Sequence, residues 1–115
     1  MAGRLDAFLV MLDRGQDSAV LRYSLGTELL AAKDAAAAIA HLRRAVEQDP
    51  LYSAAWKALG QALAGQGSLA DAADAYRRGI DAAGKRGDVQ AAKEMKVFLR
   101  RIERKPAGEA GDVGA

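Results

Sequence analysis

Residues 56–63 read WKALGQAL, and 34 positions earlier residues 22–29 read RYSLGTEL. Leu25 falls on Leu59, Gly26 on Gly60 and Leu29 on Leu63. The agreement continues downstream, where Ala38 meets Ala72 and Arg43 and Arg44 meet Arg77 and Arg78. Apolar Leu42 and Val46 meet Tyr76 and Ile80. Every match keeps a helical spacing, so the chain is organised as a repeated helical unit. A glycine inside a helix costs roughly 1 kcal/mol relative to alanine. Its return at the same place in both units implies a close approach that a side chain would obstruct.

Composition narrows the rest. The 115 residues suffice for one core, but alanine supplies much of the apolar half, so that core must be thin. Alanine, leucine, lysine, arginine and glutamate dominate, and no alternating β-branched run of strand length occurs. With no cysteine, disulfides, thiolate catalysis and cysteine-bound zinc are excluded. The apolar stretch Ala7–Leu12 is enclosed by Asp6 and Asp13 and is too short for a secretory core. No run approaches the roughly 20 apolar residues of a membrane span. A soluble cytoplasmic protein without membrane contact is the expectation.

The second unit reads Trp56-x-x-Leu59-Gly60-x-x-Leu63, then Ala72-x-x-x-Tyr76. The first reads Arg22-x-x-Leu25-Gly26-x-x-Leu29, then Ala38-x-x-x-Leu42, and closes with Asp49-Pro50. This pattern resembles the tetratricopeptide repeat, a pair of antiparallel helices. It is similar in particular to small stand-alone bacterial members, which are also rich in alanine and arginine. The departures are Arg22 in the tryptophan position, Gly79 in place of alanine and Gly84 in place of the closing proline.

The resemblance implies an all-α, right-handed superhelical solenoid of antiparallel pairs with a C-terminal capping helix. Repeats fall at about 19–52 and 53–86, after an N-terminal half-repeat at 3–14. In the 34-residue register Lys93 and Glu94 occupy the places of Leu59 and Gly60, so the repeat breaks after Gly87. Segment 88–104 still carries an apolar stripe, Ala91, Met95, Phe98 and Ile102, and is expected to cap the array. The helices expected are 3–14, 18–32, 35–48, 53–66, 69–83 and 88–104, within one domain at 1–105. The Pro- and Gly-containing tail, 106–115, is expected to be disordered.

Trp56 reads as a packing piece beside Gly60, which would lie against the partner helix near Ala72, as Gly26 would near Ala38. The resemblance assigns the binding surface to a concave groove lined by the first helix of each pair. Those positions are Tyr23, Thr27 and Leu30, then Lys57, Gln61 and Ala64. One aromatic anchor with several hydrogen-bonding groups suits a protein or peptide partner. Some members clamp chain-terminal carboxylates with lysine, asparagine and arginine. Here Tyr23, Thr27, Ala58, Asp88 and Ala92 stand at those places, so that recognition is not expected.

A second candidate is the cationic stripe Lys93, Lys96, Arg100 and Arg104, suited to an anionic partner. Glu94 and Glu103 dilute it and no aromatics interleave, so nucleic acid is not the expected ligand. His41 is the only histidine, and Asp71 and Asp74 read as surface charge. No catalytic residues, metal site or cofactor are expected. Self-association through Phe8, Leu9 and Leu12 is the alternative role.

Overall fold

The computed structural model describes residues 3–114, and the side chains of residues 3–104. Met1, Ala2 and Ala115, the ends of the expected domain and tail, lie outside the described residues. The described residues form six helices and no strand: α1 Arg4–Asp13, α2 Ala19–Ala31, α3 Ala35–Gln48, α4 Ser53–Gly65, α5 Leu69–Arg86 and α6 Val89–Gly114.

Local chemistry sets the boundaries. Ser18, Asp34 and Asp88 cap α2, α3 and α6, accepting from the backbone N–H groups of Leu21, Ala37 and Ala91 at 3.1, 3.2 and 3.1 Å. The C-termini of α1, α2, α4 and α5 close with paired backbone bonds around a left-handed residue, the Schellman arrangement. Three of those residues are Gly15, Gly67 and Gly87, with φ of 83°, 88° and 74°. The fourth is Lys33 at φ 63°, where Lys33 donates to Leu30 and Asp34 donates to Leu29 at 2.9 Å each. Lys33 stands 34 residues before Gly67, so the two repeats make the same turn with different residues.

Helix α2 packs on α3 and α4 on α5, while α4 also touches its neighbours α2 and α6. The continuous core contains Leu29, Leu42, Leu59, Leu63, Tyr76 and Met95, with alanines between them. The small side chains let the helices approach closely. A Cβ on Gly26 would collide with the side chain of Leu42, and one on Gly60 with the ring of Tyr76. The glycines therefore seat the large residue of the partner helix, one turn beyond the expected Ala38 and Ala72. Those alanines are fully buried in the same interface.

Helix α6 corrects the expected register. Helix α5 has 18 residues against 14 in α3, one extra turn. The loop after it is shorter, so the N-cap residues Tyr52 and Asp88 lie 36 positions apart. In that register Ala55 matches Ala91 and Leu59 matches Met95, all four buried. The repeat thus continues with a two-residue insertion, and the capping helix is the first helix of a third unit. Gly60 matches Lys96.

At its far end α6 runs past the expected 104 to Gly114, through residues 106–114 expected to lack regular structure. Local propensity opposes this stretch, since a proline in a helix interior gives up a backbone hydrogen bond and costs roughly 3 kcal/mol, and Gly108 and Gly111 are poor helix formers.

Candidate functional site

Trp56 and Arg22 hold equivalent places, and the structure uses them differently. The Trp56 indole donates to the Pro50 carbonyl at 2.7 Å, and the Arg78 guanidinium sits 5.9 Å from its ring centre. Gly79 makes room for the base of the Trp56 side chain and for Met95: a Cβ there would lie 2.7 Å from Trp56 Cβ and collide with the Met95 sulfur. That explains the glycine standing where the repeat pattern has alanine.

At the first unit the space is polar. Arg22 makes a bidentate pair with Asp17, Nε and Nη2 each 2.8 Å from a carboxylate oxygen. Gln48 donates to the same carboxylate at 2.9 Å. These bonds hold Asp17 well below the usual carboxylate range, the bond from Arg22 first and that from Gln48 second. Arg22 Nη1 also lies 3.1 Å from His41 Nδ1, so His41 is half-buried in a network rather than free on a helix face. Sequence reasoning missed this cluster because its members are spread from 17 to 48.

The expected groove residues come from α2 and α4, and their surroundings differ. Tyr23 is half-buried and stacks on Tyr52, ring centres 5.1 Å apart and tilted by 42°. Thr27 bonds back to the Ser24 carbonyl at 3.0 Å, and Leu30 packs against the core. Gln61 is exposed, whereas Ala64 is half-buried beside Leu69, Tyr76 and Phe98.

Lys57 is already engaged. Its Nζ lies 2.7 Å from Glu94 of α6, and Gln90 donates to the same carboxylate at 3.2 Å. The Lys57 bond lowers the Glu94 pKa. Ser53 reinforces the contact by donating to Asp88 at 3.1 Å. Glu103, the second acid of α6, accepts from Arg77 of α5 at 3.1 Å. Both carboxylates expected to dilute the cationic stripe are therefore bound to neighbouring helices.

The corrected register links the two candidate surfaces. Advancing Lys57, Gln61 and Ala64 by 36 positions gives Lys93, Val97 and Arg100, all exposed. Lys96 and Arg104 are exposed beside them. Holding the period at 34 hid this correspondence between the two sets of residues. A search allowing a two-residue insertion would have aligned Met95 with Leu59.

The geometry agrees with the comparisons. A tetratricopeptide repeat family model matches residues 23–87. A TPR repeat-containing protein of Pseudomonas aeruginosa is 52% identical over 94 residues, covering 82% of this chain and 90% of that protein. This chain belongs to the tetratricopeptide repeat family.

Among solved structures, a Bordetella parapertussis protein determined in solution matches the TPR chain with a TM-score of 0.82 and 43% identity over 96% of each. A tetratricopeptide repeat domain protein from Salinibacter ruber matches with a TM-score of 0.70 and 29% identity, over 76% of this chain and 88% of its own. TPR folds serve in general as protein-interaction modules and scaffolds. In the corrected register, the last two carboxylate-clamp places move from Asp88 and Ala92 to Gln90 and Glu94, neither of them cationic.

Among the described residues, no cluster of three or more metal-ligating side chains occurs, and no helix is long and apolar enough to cross a membrane. Asp74 pairs with Arg78 at 3.1 Å, and Asp71 is exposed on the same helix.

Proposed function

We propose that this TPR protein is a non-catalytic adaptor that binds a segment of a partner protein across the exposed face of α2 and α4. Tyr23, Thr27, Leu30, Lys57, Gln61 and Ala64 line that face. The observation carrying this reading is their chemical layering. Tyr23 and Leu30 offer apolar contact anchored in the core, while exposed Gln61 offers hydrogen bonds at mid-groove.

Gln61→Arg tests it with little risk to folding, because residue 61 is exposed. Peptides selected on the wild-type protein from a random displayed library should lose about tenfold or more in affinity for this variant. The circular-dichroism melt should stay unchanged. Equal binding by the variant would overturn the groove reading.

One observation favours a second role, self-association at the N-terminal end. Helix α1 buries none of its residues, and Leu9, Val10 and Met11 are 42%, 48% and 40% exposed. Phe8 and Leu12 are half-buried, so the face available to a second copy is rotated from the one expected. Sedimentation equilibrium should then give a mass that rises with concentration and returns to the monomer value in Val10→Glu.

A further inference from the structure

We infer that the groove is chemically polarised along its length. It accepts a protein segment with an apolar or aromatic residue at the α2 end and a cluster of carboxylates at the α6 end. This rests on the groove reading above and adds to it the partner's composition and direction.

The charge distribution carries the inference. Lys93, Arg100 and Arg104 share a ridge with Val97, and Lys96 flanks it. From Lys93 to Arg104 the ridge extends roughly 16 Å at the helical rise. Glu94 and Glu103 are turned to Lys57 and Arg77. Among the described residues, no carboxylate pairs with any of the four stripe cations. The opposite end presents Tyr23 stacked on Tyr52, with Leu30 two turns along the same face of α2. Lys57, midway, is neutralised from within by Glu94. Positive charge is thus concentrated on α6 and aromatic surface at α2.

The same features favour a polypeptide over a nucleic acid. Phe98, the aromatic nearest the ridge, is turned inward against Tyr76 at 5.6 Å, so no ring on the ridge is free to stack a base. The exposed centre of the ridge is Val97, 38% exposed, an aliphatic contact for a side chain. Two interhelical steps of roughly 8–10 Å separate α2 from α6. An extended chain at about 3.3 Å per residue crosses that span in about five or six residues. The partner segment therefore places its acidic cluster about that far from its apolar anchor.

The test uses a displayed library of random peptides about twelve residues long, enough to exceed that span. Peptides enriched on the wild-type protein should share the acidic cluster and the spaced apolar residue. Labelled synthetic copies should bind Lys93→Glu/Arg100→Glu about tenfold more weakly, the scale of two surface charge pairs. Lys93→Gln/Arg100→Gln should give a smaller loss, and it serves as the readout if the reversal disturbs folding. Peptides that bind both variants as tightly as wild type, yet are lost on Gln61→Arg, would overturn the polarity and leave the groove standing. Insensitivity to all three variants would overturn both. A labelled oligouridine that binds more tightly than any peptide, through the same two cations, would reassign the ridge to RNA and overturn the inference.

Discussion

Arg22 Nη1 lies 3.1 Å from Nδ1 of His41, and a guanidinium can only donate. The bond therefore requires a neutral imidazole with its proton on Nε2. Protonation would remove the acceptor and set two cations against each other.

Acid sensitivity follows from that contact. Burial first, and then the Arg22 charge, lower the His41 pKa below 6.5, while Asp17 opposes them. Other charge at the cluster comes from Arg44, which acts on Asp17. The unfolded chain therefore takes up the His41 proton first as pH falls. This contribution to stability is present above about pH 6.5 and is lost as pH falls toward the folded value. Urea midpoints measured from pH 7.5 to 5 should fall, and His41→Gln should flatten the dependence. An unchanged slope would remove His41 as its cause.

Lys33 predicts a stabilising substitution. A left-handed conformation costs an ordinary residue roughly 1–2 kcal/mol, whereas glycine adopts it freely and loses part of that gain to chain entropy. Lys33→Gly should stabilise by about 0.5–1 kcal/mol, raising Tm by a few degrees. A lower Tm would refute the assignment of strain to this turn.

Two glycines predict the opposite. Gly60→Ala drives a methyl into the Tyr76 ring, and Gly79→Ala drives one against Trp56 and Met95. Each should destabilise by about 1–3 kcal/mol in denaturant titrations despite the higher helix propensity of alanine. Gly65→Ala, where nothing lies within 4 Å, should be neutral or stabilising and serves as the control.

The Lys57–Glu94 bridge predicts a split between stability and binding. Its side chains are 30% and 39% exposed, so the coupling energy should be only about 0.2–1 kcal/mol in a double-mutant cycle. Glu94→Gln should nonetheless strengthen binding of acidic peptides, because it releases Lys57 toward the groove. Weaker binding would mean that the bridge positions α6 rather than competing with the partner.

Much of the fold was legible because packing repeats leave marks at single residues. Leu25, Gly26, Leu59 and Gly60 announce a helix pair, and all six helix starts lie within one residue of expectation. The third unit was hidden because an extra turn in α5 displaced its marks by two positions. The site was legible only as residue types. Lys57 and Glu94 stand 37 positions apart, and nothing local to either reveals which cation each carboxylate will hold. The same is true of Arg22 and His41, whose partnership depends on how two helices are juxtaposed.

Lys96 bears on how such an array could lengthen. It stands where Gly26 and Gly60 admit the large side chain of the next helix, but it carries a long cationic side chain. A duplicated helix arriving after α6 would find that seat occupied, and closing on it would strand a charge under an apolar residue. Close seating of such a helix would therefore call for a glycine at position 96, as at positions 26 and 60.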